Sequence, residues 1–323
     1  MSDLDPHPVR RIVVDTDTGI DDAHTLLYLA GREDAAIEAI TSVYGNCTQD
    51  DSLRNIAHVL RLLDLDVPVA RGADGPLEGE PRIAWQVHGR DGLGDRGYAR
   101  PEPQPVDESA AEVLVRRGRE RPGELDLLAL GPLTNLALAL RLDPQALARY
   151  RTVVVMGGSG PFDVPGVSRM VDANVQNDPA AAAAVFAAPR TELVMVGVNV
   201  TASTVLDEQG VARLAAADGP RARFASELFD SYLDFYQHEW GRRLCPLHDP
   251  LAAGVLLDPS LVTASLDGPV NVVTDGFTWR ARLMLTGEGG APALPVQPAP
   301  DTRVVTAVDR DRFVEDFLRV LTG

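Results

Sequence analysis

Strand-length apolar runs alternate with amphipathic helical segments over the first 70 residues. The apolar runs are Arg11–Asp15, Ile37–Val43 and Pro68–Ala70, and the helical segments between them are Asp21–Ala30 and Asp50–Leu63. Short β-branched runs are typical of buried strands, and apolar residues at three- and four-residue spacing are typical of amphipathic helices. This order predicts parallel strands joined by crossover helices.

The alternation resumes after a long loop at Gly72–Pro105, which is rich in glycine, proline and charge. Further helices are predicted at Asp107–Arg119, Thr134–Leu142, Pro179–Ala187, Glu208–Ala216, Arg221–Trp240, Pro250–Leu257 and Arg310–Leu321. Further strands are predicted at Leu125–Leu130, Arg151–Met156, Leu193–Val196, Val270–Thr274, Thr278–Leu285 and Arg303–Ala307, with an irregular stretch at about 159–177. No repeat or linker divides the chain. We therefore expect one α/β domain over residues 1–323, with a mostly parallel Rossmann-like central sheet flanked by helices, extra C-terminal strands and helices, and residues 1–10 as a flexible extension.

Composition narrows the possible functions. The 47 acidic and 30 basic residues give a net charge of −17, which disfavours binding to nucleic acid or to an anionic membrane. All the basic residues are arginine, and the absence of lysine excludes Schiff-base, pyridoxal-phosphate and phosphate-loop lysine chemistry. Cys47 and Cys245 are too few for a disulfide framework or a thiolate metal site. No signal peptide or membrane span is apparent, so we expect a cytoplasmic protein.

Four aspartates within eight residues follow the first predicted strand. Asp15 and Asp17 point the same way if strand geometry persists, and Asp21 and Asp22 begin the next helix after the flexible turn at Gly19. Ligands collect outside the carboxyl ends of parallel strands, and a hard divalent cation such as Ca²⁺ or Mg²⁺ offsets repulsion among carboxylates. The alternative is that one aspartate caps the helix and the others decorate a turn.

Other polar residues occur at predicted strand and helix ends. His248 can exchange a proton near neutral pH, and Asp249 before Pro250 has the pattern of a helix N-cap. Met156-Gly157-Gly158 ends a strand and is followed by Asp172, Asn174 and Asp178, while Asn46 follows another strand. Each residue also has a structural explanation, as a buried histidine, a cap or a turn residue.

Seven segments together resemble the inosine-uridine-preferring nucleoside N-ribohydrolases. They are VVDTDTGIDD, SVYGN, HGRDGLG, ALGPLTN, VMGGSG, DANVQNDP and LHDP, in the family's order and at about its spacing, from about Arg11 to Leu257. The resemblance implies hydrolysis of the N-glycosidic bond of ribonucleosides to free base and ribose through an oxocarbenium-like transition state. It also implies Ca²⁺ as cofactor, a role in nucleoside catabolism or salvage, and a homodimer or homotetramer.

The resemblance also assigns site residues. Metal ligands are expected from the side chains of Asp17, Asp22 and Asp249 and from the carbonyl of Leu130. Asp17 also matches the base that takes a proton from the attacking water, and His248 matches the acid that protonates the leaving base. The other residues matched to the site are Asp21, Asn46, Asn174 and Asp249, which hold the ribose hydroxyls, Met156, which lines the ribose, and Asp15, which supports the metal cluster.

One loop departs from the family pattern. Gly166 and Asp172 occupy the positions of an asparagine and a glutamate that contact the ribose 5′-hydroxyl in the family, so we expect a more open 5′ end of the pocket. Arg169 could face an altered or charged 5′ group there. The alternative is a re-registered loop in which Asp163 or Ser168 fills the gap.

Three aromatic residues complete the set of candidates. Tyr232 and Tyr236 lie four apart on a predicted helix, where they either stack on the leaving base near His248 or pack in the core. His88 is expected to border the mouth of the site without a catalytic role.

Two other functions remain open on the sequence. Asp15-Thr16-Asp17-Thr18 also fits a haloacid-dehalogenase-like phosphohydrolase with Asp15 as nucleophile, although the missing lysine and the following Gly-x-Asp-Asp are foreign to that pattern. An inactive relative that binds nucleosides or sugars is the other alternative. Purine or pyrimidine preference cannot be read from the sequence.

Overall fold

A nine-stranded sheet lies at the centre of the part of the chain that the computed structural model describes, residues 9–159, 172–274, 281–285 and 299–323. The strands are β1 (Arg10–Thr16), β2 (Ala35–Ser42), β3 (Val69–Ala70), β4 (Leu125–Ala129), β5 (Val153–Met156), β6 (Leu193–Val196), β7 (Val205–Asp207), β8 (Leu244–Pro246), β9 (Val262–Thr274), β10 (Ala281–Leu285) and β11 (Asp301–Val308). The sheet order is β10-β9-β11-β6-β5-β4-β1-β2-β3, while β7 and β8 form a separate pair. Neighbours from β11 to β3 are parallel, and β9 and β10 are antiparallel additions. The predicted mostly parallel α/β sheet with extra C-terminal strands is confirmed.

Helices cover both faces of this sheet. In chain order they are α1 (Ile20–Ala30), α2 (Gln49–Leu63), α3 (Trp85–His88), α4 (Ala110–Glu120), α5 (Thr134–Leu142), α6 (Ala173–Asn177), α7 (Pro179–Ala187), α8 (Val198–Thr201), α9 (Glu208–Ala216), α10 (Pro220–Trp240), α11 (His248–Leu257) and α12 (Arg310–Thr322). None of the described helices has both the length and the apolar character that a membrane crossing requires.

Alternation along the central strands divides the core between the two faces. Ile12 and Val14 of β1 pack in one apolar cluster, and Val13 packs in the other. All three side chains are buried, as expected for a parallel sheet covered on both faces, whose strands are apolar at nearly every position. Helices α1, α10, α11 and α12 contribute to the first cluster, and α4, α5 and α7 to the second.

The predicted elements differ from the structure mainly where elements are short. The loop at Gly72–Pro105 contains α3, and the predicted irregular stretch at 159–177 contains α6. Helix α8 and the β7–β8 pair are further elements without a predicted counterpart, because three to five residues carry too little periodicity to detect. Strand β9 begins at Val262 rather than Val270, since polar and proline residues interrupt its apolar pattern. β1 begins at Arg10, the last residue of the proposed N-terminal extension over residues 1–10. Val9 and Arg10 are the residues of that extension that the structure describes.

Four neighbouring strands bring their carboxyl ends to one edge. In register, Asp15 of β1 lies opposite Thr41 of β2 and Ala129 of β4, and Ala129 lies opposite Val155 of β5. The segments that leave these strands therefore start side by side, where parallel sheets bind ligands.

Candidate active site

A cavity of about 350 Å³ lies where the segments leaving β1, β2, β4 and β5 meet α10 and α11. This volume is in the range of small-molecule sites. Eight predicted site residues line it: Asp21, Asn46, Leu130, Met156, Asp172, Asn174, His248 and Asp249. The structure thus brings together residues that are more than 200 positions apart in the chain.

Asp17 and Asp22 lie beside this lining and are almost completely buried, with exposed fractions of 1% and 0%. Asn46 connects them, because its backbone N–H donates to Asp17 Oδ2 at 2.7 Å and its Nδ2 donates to Asp22 Oδ2 at 2.8 Å. Asp22 also accepts from Thr16 Oγ1 at 2.5 Å and from the N–H of Gly19 at 2.9 Å. Asp22 therefore accepts the backbone N–H of Gly19, the N-cap of α1, and also lies in the carboxylate cluster.

Buried carboxylates converge at the floor of the site. Asp21, Asp22 and Asp249 each offer a ligand atom, and these atoms lie within 4.8 Å of one another. Burial, reinforced by the charges of Asp21, Asp22 and Asp17, raises the pKa of Asp249 well above its usual range. Burial and the nearby Asp22 do the same to the pKa of Asp17, and burial raises the pKa of Asp21 to about 6. This much like charge in a buried volume favours a bound cation.

Two carboxylate oxygens of this cluster are buried without a hydrogen-bond partner in the described residues: Asp21 Oδ1 and Asp249 Oδ2. Buried polar atoms are normally satisfied, and Asp21 Oδ1 has only His88 Nδ1 nearby, at 3.9 Å, so these oxygens are available as ligands for a cation. The donor set contains only hard oxygen atoms, which suits Ca²⁺ or Mg²⁺ and not a thiolate-seeking metal. The residues present therefore fit the expected divalent cation.

The backbone beside Asp17 depends on glycine. Gly45 has φ of 151°, and a Cβ on it would lie 2.0 Å from Asp17 Oδ2. A Cβ on Gly131 would lie 3.1 Å from Asp17 Cγ. The carboxylate is thus held between two backbone segments with no room for a side chain.

Asp15 lies outside the cavity lining, and its carboxylate has different partners from that of Asp17. Thr41 Oγ1 and Asn135 Nδ2 donate to Asp15 Oδ1 at 2.5 and 2.8 Å, and burial raises its pKa to about 6. β1 ends at Thr16, so the strand geometry that would align Asp15 with Asp17 does not persist. A nucleophilic Asp15 is inconsistent with its complete burial.

The carbonyl of Leu130 and the residues of the β5 end also meet at the cavity. Asn174 Nδ2 donates to the Leu130 carbonyl at 2.5 Å and to the Met156 carbonyl at 3.0 Å. Asp172 caps α6, accepting from the N–H of Val175 at 2.7 Å. Asp178 caps α7 and is outside the lining. Gly166, Asp163, Ser168 and Arg169 lie outside the described residues.

His248 is held between two hydroxyl groups. Its Nδ1 lies 2.6 Å from Thr201 Oγ1, and its Nε2 lies 3.2 Å from Tyr236 Oη. Burial, with a smaller effect of His88, lowers the pKa of His248 to about 3, so the ring is neutral at pH 7. α11 begins at His248 with Leu247 as N-cap, so the prediction of Asp249 as the cap and Pro250 as the first helical residue is wrong. Asp249 is instead free to face the cavity.

His88 was expected at the mouth of the site, and it lies in the cavity lining as a buried residue. It is buried, and its Nδ1 accepts the backbone N–H of Ile20 at 3.1 Å. Burial lowers its pKa to about 4, so a neutral ring carries its proton on Nε2. Its ring lies 5.6 Å from that of Tyr232, whose hydroxyl donates to Asp21 Oδ2 at 3.3 Å. Both tyrosines of α10 therefore contact the site.

The family model of inosine-uridine preferring nucleoside hydrolases matches residues 12–315. The chain belongs to this family. Probable uridine nucleosidase 1 of Oryza sativa subsp. japonica is 36% identical over 279 residues, which cover 86% of this chain and 85% of that protein. Pyrimidine-specific ribonucleoside hydrolase RihA of Enterobacter sp. (strain 638) is 36% identical over 313 residues, covering 94% and 95%. The solved structure of a plant nucleoside hydrolase, PpNRh1, is similar with a TM-score of 0.90 at 29% identity, covering 98% of this chain and 100% of that chain.

Membership of the nucleoside hydrolase family confirms the resemblance seen in the sequence and makes the protein a hydrolase of N-glycosyl bonds. Neither the phosphohydrolase nor the inactive binding protein is favoured. Sequence reasoning missed Thr201, which contacts His248 across 47 positions without any local signal. It also missed Phe235, Glu239 and Trp240, which line the cavity and share a helical face with the predicted Tyr232 and Tyr236.

Proposed function

We propose that this nucleoside hydrolase cleaves pyrimidine ribonucleosides, with uridine as the reference substrate, in a Ca²⁺-dependent reaction. The observation that carries the proposal is the convergence of buried, partly unpartnered carboxylates with the His248–Tyr236 pair at one cavity. The pyrimidine preference rests on the relatives from rice and Enterobacter, whose names give uridine and pyrimidine ribonucleosides as their substrates.

The carboxylate cluster supplies the proposed cation site. Asp17, Asp22 and Asp249 and the carbonyl of Leu130 would hold Ca²⁺, with Asp21 beside them as a further carboxylate. When bound, Ca²⁺ supplies a positive charge that orients the attacking water and makes it more acidic. Asp17 takes one proton from this water at a carboxylate oxygen, while the water oxygen bonds to the anomeric carbon of the ribose.

Negative side chains also suit the sugar in the transition state. As the bond from the anomeric carbon to the base nitrogen breaks, positive charge develops on the ribose ring. Asp21 and Asp249 line the cavity as carboxylates and can bind ribose hydroxyls while stabilising that charge. Asn46 and Asn174 add amide groups to the same part of the lining.

The leaving base takes the electron pair of the broken bond and needs a proton. His248 is neutral at pH 7, so it holds one N–H and not the two of an imidazolium. Because its Nε2 adjoins the Tyr236 hydroxyl, we assign proton delivery to the pair and not to His248 alone. Thr201 on Nδ1 keeps the ring oriented.

A release assay tests the proposal. The free sugar is measured as reducing sugar after incubation with uridine, cytidine, inosine and 2′-deoxyuridine. Each substrate is tested with untreated enzyme, with enzyme treated with chelator, and with the same enzyme after Ca²⁺ is restored. We expect release from uridine and cytidine, loss of activity with chelator and recovery with Ca²⁺. Release from none of the nucleosides refutes the hydrolase assignment, and undiminished activity after chelation refutes the cation. Inosine as the better substrate refutes the pyrimidine preference.

Several expectations accompany this proposal as predictions. They are a single domain over residues 1–323, a cytoplasmic location, a homodimer or homotetramer, and an open 5′ end that would admit a 5′-modified nucleoside. A comparison of uridine with 5′-deoxyuridine and uridine 5′-phosphate addresses the last of them, since clear preference for plain uridine contradicts an open 5′ end.

A further inference from the structure

One face of α10 forms the aromatic side of the cavity. Five of its residues line the cavity, at the spacing of a single helical face: Tyr232, Phe235, Tyr236, Glu239 and Trp240. The rings form a contiguous group, with centroid separations of 5.0 Å between Phe235 and Tyr236 and 4.5 Å between Tyr236 and Trp240. Such a surface suits the planar base of a nucleoside.

Successive residues of this helical face lie beside successive parts of the proposed site, from the carboxylate cluster to His248 and beyond. Tyr232 contacts Asp21 in the carboxylate cluster, and Tyr236 contacts His248 one turn further on. Glu239 follows three residues later, about 4.5 Å beyond Tyr236 at the rise of an α-helix. If the ribose binds at the carboxylates and the leaving nitrogen lies at His248, as the proposed function requires, the far edge of the base lies next to Glu239.

The carboxylate of Glu239 is available to such an edge. Its side chain is 50% exposed, and the one polar partner found for it in the described residues is His238, at 4.0 Å. His238 is itself 87% exposed, so this contact competes weakly with a ligand. Within the described lining, Glu239 is the sole carboxylate on the aromatic side, and it has no part in the proposed reaction.

We propose that Glu239 is a specificity determinant that selects bases carrying an N–H on the edge away from the glycosidic nitrogen. A carboxylate only accepts hydrogen bonds, so it favours an N–H, such as that at N3 of uracil, and disfavours the same position when it is methylated. A hydrogen bond to a charged group contributes enough for about a tenfold effect even near the low end of its range. The proposal rests on the proposed nucleosidase function and adds the feature of the base that is recognised.

The test compares uridine with 3-methyluridine, which lacks the N3 proton. The kcat/KM for each is measured with wild-type enzyme, with Glu239→Ala and with Asp234→Ala. Asp234 is a matched control because it is an exposed acidic residue of the same helix that bonds Arg243 and is absent from the cavity lining. The wild type and Asp234→Ala should prefer uridine by about tenfold.

Glu239→Ala should lower kcat/KM for uridine by about tenfold, mainly through KM, and leave 3-methyluridine unchanged. An unchanged value for uridine overturns the proposal, and so does an equal loss for both substrates. A gain for 3-methyluridine alone would mean that Glu239 excludes the methyl group sterically, which also overturns it. Wild-type enzyme that cleaves neither substrate refutes the nucleosidase function itself, whereas cleavage with the same ratio in the alanine variant refutes only the role of Glu239.

Discussion

Replacement of Tyr236 by phenylalanine tests whether the hydroxyl next to His248 helps to protonate the leaving base. The substitution removes one oxygen, which lies 3.2 Å from His248 Nε2, and keeps the ring that packs against Tyr232 and Trp240. The fold should lose about 2 kcal/mol, because the hydroxyl contacts both His248 and the Tyr232 hydroxyl and each neutral hydrogen bond contributes about 1 kcal/mol. The effect on the reaction should be much larger, because uracil is a poor leaving group without a proton.

The expected loss follows from general acid catalysis. A positioned proton donor contributes about 10²–10⁴-fold, and the N–H of a neutral His248 remains in Tyr236→Phe, so the lower end applies. We expect kcat for uridine to fall about 10²-fold, equivalent to about 2.7 kcal/mol in the activation free energy. The p-nitrophenolate group of a p-nitrophenyl riboside leaves as a stable anion without protonation, so the hydrolysis of this substrate should change little.

The assay measures kcat for both substrates, with Tyr98→Phe as control. Tyr98 lies outside the cavity lining and donates to Glu227 Oε2 at 2.9 Å, so its variant also loses one tyrosine hydroxyl. An equal loss on uridine and on the p-nitrophenyl riboside would refute the reasoning, because it would locate the effect in ribose binding or bond polarisation. Full activity on uridine would also refute it.

Three further predictions concern the cation site and the sheet. Asp249→Asn removes one carboxylate of the proposed Ca²⁺ site, so Ca²⁺ should no longer raise the melting temperature of the variant. The wild type should gain about 2.7 kcal/mol of stability at a Ca²⁺ concentration of about 100 Kd. An equal rise in melting temperature for both proteins, from chelator to Ca²⁺, would contradict this. Gly45→Ala should displace the Asp17 carboxylate and abolish most activity, while Gly79→Ala, also at positive φ but with no atom within 4 Å, should cost only stability; similar activity in the two variants would disprove the steric argument. Asp126→Ala removes the buried carboxylate paired with two arginines at the start of β4, so chemical denaturation should show a loss of about 2 kcal/mol with kcat retained, and a large fall in kcat would contradict the separation of this pair from the site.

Local patterns predicted most of the fold because they act within one element. The apolar run of β1 forms the strand that its local pattern predicts, and the residue spacing in α2 forms the predicted helix. The loop at Gly72–Pro105 was harder, because α3 has four residues and is held by contacts with α10. The N-cap assigned to Asp249 failed because a local preference was outweighed by the position of α11 in the cavity wall.

The chemistry of the site could be predicted in part. The concentration of aspartates after β1 required a reason in the sequence itself, and charge repulsion provided one. For the partners of His248 the sequence offered less: it suggested Tyr236 near His248 as a stacking residue, and it gave no sign of Thr201. Both hydroxyls reach the ring only when α8, α10 and α11 pack together. The family motif had matched Asp21 to ribose binding, whereas in the structure Asp21 also lies in the carboxylate cluster with Asp22 and Asp249.

The sequence by itself determined the parallel α/β architecture, the family and the acidic character of the site, because periodicity, residue type and motif order are properties of the chain. Tertiary structure decided which carboxylate oxygens lack partners, how buried the histidines are and which carboxylate lies beside the base side of the cavity. Those properties depend on distances between segments that are far apart in the chain and on the exclusion of water from the space between them, neither of which a local pattern encodes.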